Sequence, residues 1–137
     1  MNTPLRFPGF DTRYNGNYER NFFMYPNILS EYWCQLSGSE QKVLDFILRQ
    51  TIGWRKSYDR IALSQFVNGV GESNRGTGLS TSQVHRAIKS LEEKGFIEVK
   101  RNKNRPSTFS LVLVPEEEEV KAEDFKAFDA FKDVRWI

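Results

Sequence analysis

The sequence holds one cysteine and one histidine in 137 residues. A lone thiol forms no internal disulfide, so nothing in the chain asks for an oxidising compartment. One Cys and one His also fall short of a nitrogen–sulfur zinc site. No apolar run reaches membrane-spanning length, and the opening MNTPLRFPGF lacks the apolar centre of a signal peptide. The expectation is a soluble cytoplasmic protein without cofactor or metal. A catalytic constellation is missing too. His85, beside Arg86 on a helix flank, is a poor general base. Gly76 and Gly78 do not follow a strand into a phosphate-binding turn. The EEEE run at 116–119 is solvated charge, not a metal site. The chain is therefore expected not to be an enzyme.

What is present is charge, unevenly spread. Residues 1–114 carry 16 Lys and Arg against 10 Asp and Glu, net +6, while residues 115–137 carry 4 against 8, net −4. A basic body with an acidic tail suits an anionic partner for the body, nucleic acid first. Between Arg75 and Arg105 eight basic residues face three acidic ones.

That basic segment contains the most completely punctuated helix in the chain, within GTGLSTSQVHRAIKSLEEKG, Gly76 to Gly95. Ser80 is an N-cap, and Gln83 three residues later completes a capping box. Leu79 and Val84 are spaced as a hydrophobic staple. Gly95 stands where a left-handed C′ residue is needed, with Phe96 folding back on Leu91. Val84, Ala87, Ile88 and Leu91 share one face at helical spacing. Ser82, Arg86, Lys89 and Ser90 are expected on the other, flanked by Gln83 and His85.

The flanking segments are read as follows. Residues 1–24 form an arm rich in aromatics and arginine: Phe7, Phe10, Tyr14, Tyr18, Phe22 and Phe23 with Arg6, Arg13 and Arg20. Tyr25–Gln35 is a short helix capped by Asn27, with Ile28, Leu29 and Tyr32 inward and Cys34 a small buried hydrophobe. Ser37 and Glu40 form a capping box for a helix running to about Ile52, with Val43, Leu44, Ile47, Leu48 and Thr51 as its core stripe. Gly53–Arg60 is a turn anchored by Trp54, with Arg55 and Lys56 exposed. Ile61–Leu63 is a short strand. Ser64 caps a brief helix carrying Phe66, Val67 and Val70 inward, and Asn68–Gly78 is loop. After Gly95 the period becomes two. Ile97 and Val99, then Phe109, Leu111 and Leu113, form a β-hairpin around a basic turn, Arg101 to Ser107. The tail, 115–137, is an acidic linker and a short aromatic helix bearing Phe125, Phe128, Phe131 and Trp136.

Helix, short strand, helix, loop, helix, hairpin is the order of a winged helix-turn-helix, a mainly α fold with a small β-hairpin (α+β), here over residues 25–114. In that fold the third helix enters the DNA major groove and the wing lies along the backbone. Ser80, Thr81, Ser82, Gln83, His85, Arg86 and Lys89 are then the reading helix. Gln83 suits adenine and Arg86 guanine. Lys100, Arg101, Lys103 and Arg105 neutralise phosphates at the wing, and Asn104 reaches a groove edge.

The wording of the chain also resembles a family. YPNILSEYWCQLSGSEQKVLDFILRQTIGWRKSYDRIALSQF, Tyr25 to Phe66, is similar to the N-terminal domain of phage replication initiators of the lambda O type. The cues are PNIL at Pro26–Leu29, TIGW at Thr51–Trp54, RKSYDRI at Arg55–Ile61 and SQF at Ser64–Phe66. GTGLSTSQVHRAIKSLEEKGFI, Gly76 to Ile97, continues the match. The resemblance implies a protein that binds repeated double-stranded sites at a replication origin as a homodimer, with a separate C-terminal region that recruits helicase-loading proteins. Only 22 residues follow Pro115, so contact with a replication protein is left to that tail, and the chain reads as a truncated initiator or as its DNA-binding piece alone. Two readings stand beside this one. A winged-helix transcriptional regulator has the same DNA chemistry. A winged helix used only as a protein-interaction module has Glu92 and Glu93 in its favour, with Arg86 and Lys89 against it.

Overall fold

Two helices of 13 residues, each opened by its own capping box, form the frame. The computed structural model describes residues 6–9, 23–72 and 74–113. In chain order the elements are α1 (Leu29–Tyr32) with a 3₁₀ turn (Trp33–Gln35), α2 (Gly38–Gln50) with a 3₁₀ turn (Ile52–Trp54), β1 (Tyr58–Arg60), α3 (Leu63–Asn68), α4 (Thr81–Glu93), β2 (Ile97–Asn102) and β3 (Arg105–Leu111). The strands form one antiparallel sheet in the order β1-β3-β2. The chain is thus α+β: helices against a small antiparallel sheet.

Each helix starts where its backbone donors find acceptors. Ser37 Oγ accepts from the Glu40 N–H, and the Ser37 N–H donates to Glu40 Oε1 at 2.7 Å. Ser80 and Gln83 make the same reciprocal pair at 3.2 and 2.9 Å. The apolar stripes face each other across the core. Val43, Leu44, Ile47 and Leu48 of α2 are buried with Val84, Ala87, Ile88 and Leu91 of α4. Phe66 of α3 is wholly buried, 4.9 Å from the Phe46 ring and 5.2 Å from the Phe109 ring on the central strand. Those ring pairs join α2, α3 and the sheet.

Several expectations are corrected. Asn27 does not cap α1; the helix opens after a turn at Pro26–Ile28, and Ser30 Oγ donates to the Asn27 carbonyl. With only four residues in α1, Leu29 alone is buried, and Ile28 and Tyr32 are exposed. Cys34 is exposed, on the 3₁₀ turn that ends this segment. Trp54 is 58% exposed rather than an anchor; its ring lies over the Arg49 guanidinium, 5.1 Å from the centroid. The chain runs through Gly53 as a 3₁₀ turn, and Arg55 is the left-handed residue. The first strand is Tyr58–Arg60, before Ile61–Leu63, because Tyr58 to Arg60 pair with Ser110 to Thr108. Ser64 does not cap α3. The N-cap position is Ala62, whose N–H donates to Gln65 Oε1. The basic turn shrinks to Lys103 and Asn104, since Asn102 pairs with Arg105. Leu113 lies past β3 and is exposed. Phe10, Arg13, Tyr14, Tyr18, Arg20 and Phe22 of the arm, and the tail from 114 onward, lie outside the described residues. No helix among the described residues is long and apolar enough to cross a membrane.

Candidate nucleic-acid interface

The loop before α4 fixes where that helix begins. Thr77 donates to the Phe66 carbonyl through both its N–H and its hydroxyl, each at 2.8 Å, and its Oγ1 accepts from the Leu79 N–H. Lys42 of α2 donates to the Thr77 carbonyl. A buried threonine thereby ties the end of α3 and the start of α4 together. Gly69 and Gly76 make this possible. A Cβ on Gly69 would stand 2.0 Å from the Asn74 carbonyl oxygen, and one on Gly76 2.6 Å from that of Val67. Both residues also have positive φ.

From this start Ser80, Thr81, Ser82, Gln83, His85, Arg86 and Lys89 are all exposed. Gln83 has two duties, because its Oε1 already accepts the Ser80 N–H. Its amide nitrogen stays free to donate. Ser90, expected on this outer face, instead turns to α2 and donates to Glu40 Oε2. Lys94 joins the same carboxylate, its Nζ 2.9 Å from Oε2, and also donates to the Gln35 carbonyl at 2.7 Å. Burial alone would raise the Glu40 pKa; the donors Ser90, Ser37 and Lys94 outweigh it and hold the carboxyl at about 2. The charge is therefore fixed and paired between α2 and the Ser90–Lys94 flank of α4.

Past α4, Gly95 takes φ +86, its N–H reaching the Glu92 carbonyl and that of Phe96 the Leu91 carbonyl. These two bonds are a Schellman close. They turn the chain directly into β2, so the hairpin rises beside the end of α4. Lys100, Arg101, Lys103, Asn104 and Arg105 of the hairpin are exposed. Among the described residues no ion pair involves Arg86, Lys89, Lys100, Lys103 or Arg105. Arg101 differs. Its two terminal nitrogens each donate at 3.0 Å to one oxygen of Glu92 on α4. This fork holds the Glu92 carboxyl below its ordinary range and the Arg101 guanidinium above its own.

The register adds a residue that sequence reading left out. Arg60, Thr108 and Lys100 are cross-strand partners over all three strands, so their side chains share the exposed sheet face. Arg60 read as part of a turn; only pairing across 48 residues brings it beside the hairpin cations. The sites assembled are thus an outward polar and cationic α4, a basic hairpin at its end, and a cationic row across the sheet. No group of His, Cys, Asp and Glu that could hold a metal occurs among the described residues.

No curated protein and no solved structure matches this chain. A family model does: that of bacteriophage replication protein O, over residues 19–109. The match takes in every helix among the described residues and ends on Phe109, the buried ring of the central strand. Spanning well over half of the sequence, it makes the chain a member of the bacteriophage replication protein O family.

Proposed function

We propose that the chain is a winged helix-turn-helix protein that binds specific double-stranded sites at a phage replication origin. Helix α4 is the reader and the β2–β3 hairpin the wing. The observation that carries this reading is the pairing pattern of the cations. Arg86 and Lys89 project from α4 without an acidic partner among the described residues, and Lys100, Lys103 and Arg105 do so from the adjoining hairpin. Exposed cations without partners, on a polar helix and a neighbouring hairpin, suit phosphates and base edges together. Arg86 offers the fork that guanine N7 and O6 accept, and Ser80, Thr81, Ser82 and His85 supply short polar contacts near the start of the helix, where such readers meet bases. Asn104, exposed at φ +62 on the hairpin tip, supports the same reading as the residue that meets a groove edge. The family supports the replication role over a transcriptional one. Binding as a homodimer to repeated sites, and contact of the tail with another replication protein, belong to the same proposal.

The test is selection from a random-sequence duplex pool at two salt concentrations. The expected result is a site bound ~10³-fold or more tighter than random DNA, with steep salt dependence. Clustered repeats of that site in the parent genome support an origin; a single copy upstream of one gene supports a regulator. Absence of duplex binding at low salt rejects both and leaves the protein-interaction module.

A further inference from the structure

Within the DNA reading, the charge of the hairpin does not all serve one purpose. The β2–β3 register slips between Lys100 and Asn102, so Arg101 sits at the irregularity. Such a slip re-aims a side chain out of the regular alternation. The re-aimed Arg101 meets Glu92 in a two-pronged contact between strand and helix. Fork-to-fork pairing fixes direction as well as distance. Glu92 and Glu93 also stand in the last turn of α4, where no basic residue accompanies them and the helix dipole disfavours acids. Without Arg101, the Glu92 carboxylate would lie uncompensated where α4 meets the hairpin.

We infer that Arg101 is a positioning residue rather than a phosphate ligand: with Glu92 it braces the wing against the reading helix and sets the angle at which the two engage one duplex. Phosphate neutralisation at the wing is the work of Lys100, Lys103 and Arg105. Glu92, an acid on the reading helix of a DNA-binding protein, thereby acquires a role that net charge would not suggest. It cancels one cation locally and fixes the remaining ones in register with α4.

The two roles of Arg101 separate in salt dependence. A phosphate ligand releases a counterion on binding, so its removal flattens the plot of log affinity against log salt by about one. A brace releases none. The full-length chain is measured on a duplex it has selected from a random pool and on a scrambled duplex. R101A is expected to lose affinity several-fold on the selected duplex, less on the scrambled one, with the salt slope unchanged. K103A is expected to lose affinity equally on both and to flatten the slope by about one. E92Q frees the guanidinium and is expected to tighten scrambled-duplex binding and steepen the slope. The charge-swapped E92R/R101E variant keeps net charge and restores the pair, and is expected to recover most of the selected-duplex affinity lost in R101A. A flattened slope in R101A, or a swap variant no better than R101A, overturns the brace while leaving the DNA reading intact. Wild-type chain that binds neither duplex overturns both.

Discussion

Arg86 and Glu40 line one cleft beside α4 and have different duties there. Arg86 sits on the outward face of α4, exposed and without a partner among the described residues. Arg86→Ala is expected to cost about 1–3 kcal/mol on the selected site and little on random DNA; equal losses on both remove it from the readers. Glu40 of α2 lies against the adjoining flank of the same helix, at Ser90, one turn after Arg86. Its carboxylate accepts from the Ser37 N–H, Ser90 and Lys94, and its pKa falls to about 2. A depressed carboxyl stabilises the fold above its ordinary pKa, and that stability is lost as pH falls through the folded value. The shift corresponds to roughly 3 kcal/mol at neutral pH. Urea titrations should therefore show wild-type stability dropping more steeply between about pH 5 and pH 2 than that of Glu40→Gln. Parallel curves would mean that the carboxyl titrates normally.

At the scale of elements, the caps carry much of the information. Ser80→Ala removes the acceptor for the Gln83 N–H and is expected to cost ~1 kcal/mol in denaturant unfolding; no loss would place the helix start elsewhere. This cap was legible in sequence, as were the Ser37–Glu40 box, the Gly95 close and the inward stripes of α2 and α4, because all are local patterns in which partners lie within a few residues. The misread elements depend on distant partners. β1 is set by Ser110 and Thr108, some 50 residues on, so its residues could not be placed from their own neighbourhood. Asn27 and Ser64 are good caps by type, yet the turn at Pro26 and the reach of Gln65 decide those starts. At the candidate interface, the exposure of the named α4 and hairpin residues was foreseen. The engagement of Arg101 by Glu92, the turning of Ser90 to Glu40 and the alignment of Arg60 with Lys100 were not. Each needs the packing angle of two elements, which residue type does not encode.

At the scale of the whole molecule, the rings of Phe46, Phe66 and Phe109 hold helices and sheet in one core. Phe66→Ala should cost about 3–5 kcal/mol by calorimetry or denaturant, and, since Phe66 also supplies the carbonyl that anchors Thr77, the surviving folded fraction should keep that backbone tie. A loss under about 1 kcal/mol would mean the rings do not share a core. The same anchor has a consequence for what the chain tolerates. Val70 and Asn74 stand just beyond a neck closed by Gly69, Gly76 and the Thr77 bonds, and the Val70–Asn74 bridge pairs the two sides of the loop. What lies beyond a sealed neck bears little on the helices either side. Closing a longer loop costs only about 0.6 kcal/mol per doubling of length. The exposed positions Gly71 and Glu72 are thus where added length should be tolerated, and where a fluorescent reporter can be spliced in without disturbing α4 a few residues away.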